Sequence, residues 1–341
     1  MGFANLSRIK DIVIMKGVSM MFKGKLRMAT AIIVVFLTVL FASGAVYAGE
    51  KITIAEFNWS GAVAVTNVMK NVMEDRLGIP VVIKRLSLIS AFSAMDKGIV
   101  DVSPEIWSPN RDTDLTEYVD KKKTVEKTLL YENAPQGWFI PTKVAKEYGI
   151  STVEDLKKHT EIFDLTGDGI GDIWGGGFGW ITTDVARIQI REFGLNLDPY
   201  VVEQWIFLIS LKEAMRREMP ILFYYWAPEW PFDVYDLTEV KFPPYDPAKW
   251  QFFTKDLARS KITCGWQPAK VYVCYSKKLK EKSPKVYQFC KQWYFPIEEV
   301  SFLITEFEDV PNNPKKDIEK VAKAWVENHP EIVKNWIKGI E

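Results

Sequence analysis

The stretch KITIAEFNWSGAVAVTNVMKNVMEDRLGIPVVIKRL, residues 51–86, decides the fold class. Its first seven residues are typical of a short β-strand, and PVVIKRL at its end is typical of a second strand. Between them, apolar residues recur at helical spacing at Val65, Val68, Val72 and Leu77, and Gly78 closes the pattern. A strand, a helix and a second strand in this order predict parallel strands with helices packed on the sheet.

The alternation of strands and helices continues and divides the chain into two regions. IVDVSPEIW ends the first region as a third strand, and the second begins near NAPQGW at residues 133–138. There the sequence predicts a capped helix in STVEDLKKH, a helix capped by Thr182 or Thr183, and the strand MPILFYYWAPEW at residues 219–230. We expect residues 233–270 to be a loop and VYVCYS to be a late strand of the first region.

These patterns predict an α/β protein with two lobes and a ligand cleft between them. The chain is expected to cross between the lobes near residues 136 and 267. The predicted boundaries are a signal peptide at 1–48, a first lobe at 49–136 plus 268–341, and a second lobe at 137–267.

The first 48 residues have the three-part pattern of a secretory signal peptide. Lys23, Lys25 and Arg27 precede the apolar run MATAIIVVFLTVLFA, and small residues lead to a cut after Ala48. The alternative is a membrane anchor, although the run is shorter than the about 20 residues of a spanning helix. Cleavage would leave a mildly acidic mature chain, which argues against nucleic acid as a partner.

Cysteine and histidine residues limit the possible chemistry. Export would place Cys264, Cys274 and Cys290 in an oxidising compartment, where Cys264 and Cys274 either form a bridge across a hairpin or stay as buried free thiols. The two histidines, His159 and His329, belong to no catalytic or metal-binding motif. The sequence therefore predicts a protein that is not an enzyme and needs no cofactor.

The stretch FDLTGDGIGDIW, residues 163–174, begins like a calcium-binding loop. Asp164, Asp168 and Asp172 have the required spacing, but Gly175 stands where the bidentate glutamate belongs. A turn rich in Asp and Gly, without a metal, is the simpler interpretation. Calcium remains a weak alternative here.

The glycine-rich residues that follow predict a site for a zwitterion. They present Trp180 just before a helix, whose first free N–H groups, at Ile181 and Thr182, attract anions. A quaternary ammonium head has no N–H to donate, so aromatic faces recognise it, each contributing about 0.5–2 kcal/mol. Trp107 and Trp226 also lie at loop-proximal ends of their elements, and with Trp180 they form the tryptophan trio of the predicted site.

Five stretches in a fixed order resemble the extracytoplasmic substrate-binding proteins of glycine betaine/proline betaine ABC transporters. They are VDVSPEIWSPN, NAPQGWFIP, IFDLTGDGIGDIWGGGFGW, PILFYYWAPEW and AWVENHPEIVKNWI, and the resemblance extends over about residues 51–340. It implies a two-lobed, periplasmic-binding-protein-like (type II) fold with a hinge between the lobes. It also implies a periplasmic or extracytoplasmic monomer that delivers a small zwitterionic or cationic ligand to an ABC transporter permease.

The resemblance also assigns residues to the site. Closure of the lobes would complete the tryptophan trio, with Trp107 in the first lobe. In one branch of the family the ligand carboxylate meets N–H groups just after the second tryptophan, which are here those of Ile181 and Thr182. In another branch it meets the start of the first helix, here at Ser60, Gly61 and Ala62 after Trp59.

One departure and two alternatives accompany this resemblance. Gly176 and Thr182 stand where some members have two cysteines that bracket the glycine loop, so this loop lacks those cysteines and must be held rigid in another way. Choline, carnitine or another small amine or amino acid would fit the same cleft. A secreted hydrolase that stacks a sugar on the aromatic rings is a further alternative, and it would require a carboxylate in the cleft.

Overall fold

A computed structural model describes residues 51–311 and 313–340, and the predicted signal peptide at 1–48 lies outside them. None of the helices in the described residues is long and apolar enough to cross a membrane. The strands, in chain order, are β1 (Ile52–Glu56), β2 (Val81–Arg85), β3 (Val102–Ser108), β4 (Val125–Ala134), β5 (Gln136–Pro141), β6 (Gly171–Gly176), β7 (Leu197–Val201), β8 (Leu222–Trp226), β9 (Leu237–Val240), β10 (Trp250–Gln251), β11 (Lys261–Ile262) and β12 (Ala269–Ser276).

The helices alternate with these strands through most of the chain and follow one another at its end. In chain order they are α1 (Ser60–Asp75), α2 (Leu88–Lys97), α3 (Asp112–Asp114), α4 (Thr142–Tyr148), α5 (Val153–Leu156), α6 (Ile181–Phe193), α7 (Gln204–Arg217), α8 (Pro231–Val234), α9 (Leu279–Lys282), α10 (Pro284–Gln292), α11 (Ile297–Phe307), α12 (Ile318–Asn328) and α13 (Pro330–Ile337). A π-helical segment (Leu115–Lys121) and a 3₁₀ segment (Thr160–Phe163) complete the set.

The strands form two five-stranded sheets with the same plan. The first has the order β2-β1-β3-β12-β4, and the second has the order β7-β6-β8-β5-β9. In each sheet three neighbouring strands are parallel, and the fourth, β12 or β5, runs antiparallel to both of its neighbours. Each sheet therefore contains the predicted parallel strands and, in addition, one strand that runs in the opposite direction.

The two sheets define the two lobes. We call the part of the chain built on the first sheet lobe 1 and the part built on the second sheet lobe 2. The first sheet draws its strands from residues 52–134 and 269–276, and the second from residues 136–240. This division supports the predicted lobe boundaries at 136 and 267, which remain a prediction.

Apolar periodicity places the helices on the sheets as the sequence predicts. Val65, Val68 and Val72 of α1 are fully buried, and α1 packs against β1, β2 and β3. Among the terminal helices, Trp325 of α12 and Trp336 of α13 are also buried, and α12 packs against α1. The C-terminal tryptophans therefore serve the core of lobe 1.

Two sequence-based expectations need correction away from the cleft. Residues 233–270, expected to be a loop, contain the short strands β9, β10 and β11. The strand β9 pairs with β5 at the edge of the second sheet, and β10 pairs with β11. Cys264, Cys274 and Cys290 are buried free thiols, so the hairpin bridge is wrong.

Candidate functional site

Four tryptophans occupy equivalent positions in the two lobes. Trp59 follows β1 and precedes α1, and Trp180 follows β6 and precedes α6; both have extended backbones and no side-chain cap bond. Trp107 lies near the end of β3 and Trp226 ends β8, each in the strand that neighbours β1 or β6. The structure thus brings the predicted trio together and adds Trp59. We call these four residues the indole cage.

Neighbouring rings of the indole cage meet edge to face. The ring centroids of Trp59 and Trp180 are 5.8 Å apart at an interplanar angle of 90°, and those of Trp180 and Trp226 are 5.1 Å apart at 72°. The ring centroids of Trp226 and Trp107 are 6.3 Å apart at an interplanar angle of 77°. All four residues line one common space.

That space is a cavity of about 50 Å³ with walls from both lobes. This is the volume open to the centres of water-sized spheres, of which one water needs about 10–15 Å³, so the cavity holds a few groups of that size. It suits a compact head group better than a sugar ring. Its lining residues are Trp59, Leu88, Trp107, Asn110, Arg111, Trp180, Ile181, Thr182, Tyr224 and Trp226.

The glycine-rich loop lets Trp180 lie against its own backbone. Gly176 has a φ of +131°, and a Cβ there would lie 2.4 Å from Thr182 Oγ1 and 2.9 Å from Trp180 Cε3. The Thr182 hydroxyl donates a 2.6 Å hydrogen bond to the Gly175 carbonyl instead of capping the helix. The predicted threonine cap is therefore wrong, since α6 begins at Ile181. The Thr182 bond ties the loop to α6 near the positions that hold cysteines in some members of the resembled family.

The start of α6 and a buried arginine face the same cavity from opposite lobes. Ile181 and Thr182, the first two residues of α6, line it from lobe 2. Arg111 of lobe 1 lines it with a side chain that is 9% exposed. Its Nη2 forms an ion pair with Asp114 and donates to the Leu88 carbonyl at 3.4 Å, while its buried Nε has no partner among the described residues. Sequence reasoning missed Arg111, although it follows Trp107 by only four residues.

The start of α1 is arranged differently. The Ser60 N–H donates a 3.2 Å bond to Gln204 Oε1 of lobe 2. A Cβ on Gly61 would lie 2.6 Å from the carboxylate of Glu105, so only glycine leaves room for that group. Neither Gly61 nor Ala62 is among the residues that line the cavity. The protein's own polar groups therefore occupy the helix end that one branch of the resembled family uses for its ligand.

The candidate calcium ligands bind their own loop. Asp164 accepts bonds from the N–H groups of Thr166, Gly167 and Gly169, at 3.2, 2.6 and 2.8 Å. Asp168 and Asp172 likewise accept from backbone N–H groups of this loop. Within residues 51–311 and 313–340, no group of three acidic, histidine or cysteine side chains is placed to hold a metal. The loop geometry therefore favours the turn interpretation.

A family model described as the substrate-binding domain of the ABC-type glycine betaine transport system matches residues 50–328. The chain belongs to this family. It is thus a substrate-binding protein of an ABC transport system, and the resemblance found in its sequence is confirmed. A glycine betaine/proline betaine-binding periplasmic protein of Salmonella typhimurium is 22% identical to it over 242 residues, 68% of this chain and 72% of the relative.

Solved structures confirm the two-lobed, periplasmic-binding-protein-like fold of this substrate-binding protein. Lactococcal OpuAC, in a closed form complexed with glycine betaine, has a TM-score of 0.64 and 22% identity, covering 85% of this chain and 100% of its own. An ABC-transporter choline-binding protein in complex with choline has a TM-score of 0.66 and 20% identity, covering 85% and 92% of the two chains. At such identities the likeness establishes the fold alone.

Proposed function

We propose that this substrate-binding protein captures glycine betaine or a close quaternary ammonium relative in the indole cage and delivers it to an ABC transporter permease. The observation that carries the proposal is the meeting of four indoles, two from each lobe, around one small cavity. A trimethylammonium head fits such a space because it needs no hydrogen-bond acceptor. The protein would act outside the cytoplasm as a monomer, without catalysis and without binding nucleic acid.

The carboxylate of the ligand would lie between the start of α6 and Arg111. The first N–H groups of a helix attract anions, and Ile181 and Thr182, the first two residues of α6, are among the residues that line the cavity. The unpartnered Nε of Arg111 supplies a charged donor from the opposite lobe. A carboxylate bound there would bridge the lobes and favour their closure.

Calorimetric titration of the chain from residue 49 with glycine betaine tests the proposal. We expect binding, and we expect affinity to fall through dimethylglycine to glycine, because each lost methyl exposes an N–H that the indole faces cannot satisfy. Absence of both heat and a thermal shift with millimolar glycine betaine would refute it. Equal affinity for glycine would contradict recognition by the cage.

A second titration separates glycine betaine from choline as the cargo. Thr182→Pro removes the backbone N–H of residue 182. Thr182→Val is its matched control, because it keeps that N–H and removes the side-chain hydroxyl that donates a hydrogen bond to the Gly175 carbonyl. For a betaine site, Thr182→Pro weakens glycine betaine much more than choline, beyond any loss in Thr182→Val. Equal losses for both ligands would contradict the carboxylate assignment and favour choline or another cation without a carboxylate.

A further inference from the structure

Glu105 is a buried carboxylate directly behind the lobe 1 wall of the indole cage. It lies on β3, two residues before Trp107, and is 0% exposed. Its Oε2 accepts a hydrogen bond from the indole N–H of Trp59, and its Oε1 accepts one from the Tyr131 hydroxyl at 2.5 Å. The close approach of Gly61 places the first turn of α1 against the same carboxylate. It does not line the cavity, so any action on a ligand passes through the cage.

The partners of Glu105 are neutral donors. No basic side chain of the described residues forms an ion pair with it, and the side chains that hold it are two indoles and a phenol. A buried carboxylate without an opposite charge is costly, and such a group normally takes up a proton or finds a cation. The positively charged head group of a ligand inside the cage would be the cation that compensates the charge of Glu105.

We propose that Glu105 is the buried counter-ion of the ligand and selects a positively charged head over a neutral one of the same shape. The inference rests on the proposed function, since it requires a cation in the cage. A carboxylate that accepts the indole N–H of Trp59 also makes the ring more electron-rich, which strengthens the attraction of its face for a cation. The carboxylate thus acts without touching the ligand.

This arrangement couples binding to protonation. Burial raises the pKa of Glu105 to about 7, and hydrogen bonds from Tyr131, Trp59 and Trp107 keep it from rising further. A bound cation favours the charged form and therefore lowers this pKa, so binding releases a proton. Affinity then rises with pH as the empty site loses that proton near pH 7, and it falls toward acid pH.

Burial also shifts the pKa values of other titratable groups near Glu105. Burial raises the pKa of Tyr131, on β4, well above its usual range. Burial also raises the pKa of Glu229, after β8, and repulsion from Glu308 and Glu105 adds to the effect. The Tyr131 hydroxyl is therefore neutral near pH 7. Arg111 and its partner Asp114 form an ion pair on the cavity side of lobe 1.

The test compares wild type with Glu105→Gln by calorimetric titration between pH 5.5 and 8.5. The ligands are glycine betaine and 3,3-dimethylbutanoate, its carbon isostere without the positive charge. In wild type we expect glycine betaine to bind about tenfold more weakly at pH 6 than at pH 8, with proton release seen in buffers of different ionisation enthalpy. In Glu105→Gln we expect a flat profile and a roughly tenfold smaller preference for glycine betaine over the isostere.

Tyr131→Phe provides a second variant that keeps the charge of Glu105. It removes one hydrogen bond that lowers the pKa of Glu105, so the midpoint of the pH profile should move upward while the profile persists. A merely structural role for Glu105 would leave that midpoint in place.

The outcomes separate this inference from the proposed function. If wild type fails to bind glycine betaine at any pH, the proposed function is wrong. If wild type binds it but with a pH-independent affinity, or if Glu105→Gln weakens both ligands equally, the counter-ion is wrong and the cage stands. Should Glu105→Gln not fold, the wild-type profile and the midpoint shift in Tyr131→Phe decide the matter.

Discussion

The N-termini of α1 and α6 begin in the same way and serve different ends. Each follows a strand, each is preceded by a cage tryptophan, and each lies at the cleft. At α1 the protein fills the helix end itself, with Gln204 on the Ser60 N–H and the Glu105 carboxylate against Gly61. At α6 the helix end is left facing the cavity. The two helix ends therefore differ in what they offer a ligand: under the proposals above, lobe 1 would place the Glu105 carboxylate behind the cage and lobe 2 would bind the ligand's anionic group at the start of α6.

A zwitterion matches that difference. Its ammonium head would lie toward the side of the cage backed by Glu105, and its carboxylate toward α6 and Arg111. Four substitutions follow, in order of decreasing effect, and each compares the two halves of the cleft.

Trp59→Ala should have the largest effect on folding stability. Trp59 is 5% exposed, stacks on Phe57 at 4.8 Å and donates to Glu105, so its loss leaves a cavity and an unpaired acceptor. We expect the free energy of unfolding to fall by about 3–5 kcal/mol, measured by urea denaturation. Trp180→Ala, at the half-buried equivalent position, is the control and should cost much less. Equal costs would mean that the two positions do not differ in this way.

Trp180→Ala should instead act mainly on binding. Removing one aromatic side chain of the cage should weaken glycine betaine binding about 10- to 30-fold in calorimetric titration, which corresponds to about 1.4–2 kcal/mol. Trp180→Phe should recover part of the loss because it keeps an aromatic face. If Trp180→Ala bound as well as wild type, the lobe 2 half of the cage would have no role.

Arg111→Gln should discriminate between ligands. Loss of a charged donor should weaken glycine betaine about tenfold and change choline binding little, because choline has no carboxylate. Since Arg111 also pairs with Asp114, Asp114→Asn is the matched control for the broken ion pair. The carboxylate assignment fails if Arg111→Gln weakens choline as much as glycine betaine.

Ser60→Ala should have the smallest effect, on stability alone. The Ser60 hydroxyl donates to Glu308 at 2.9 Å, and its removal should lower the free energy of unfolding by about 1 kcal/mol. Affinity for glycine betaine should not change, because Ser60 is not among the residues that line the cavity. A large loss of affinity would show that the start of α1 belongs to the binding site.

The sequence predicted the parts of this cleft that local patterns encode. Val65, Val68 and Val72 mark the buried face of α1, and the placement of Trp107 and Trp226 at strand ends marks two walls of the cage. Trp59 was assigned only to the alternative carboxylate site. Its setting, FNWSGA before a helix, resembles GFGWIT before α6, and that likeness was the signal available for a fourth wall.

The rest depends on contacts between segments distant in sequence. Glu105 matters because β3 lies beside β1 and brings the carboxylate to Trp59, 46 positions earlier. The strand β9 forms because β5 offers it an edge, and β12 runs antiparallel because the chain returns from lobe 2. No periodicity within these segments contains that information.

A crystal structure of the complex with glycine betaine tests the central claim most directly. The account predicts the three methyl groups in van der Waals contact with the faces of Trp59, Trp107, Trp180 and Trp226, and the carboxylate at the start of α6 beside Arg111. A head group outside the four indoles, or a ligand turned so that its carboxylate points toward Glu105, would contradict it.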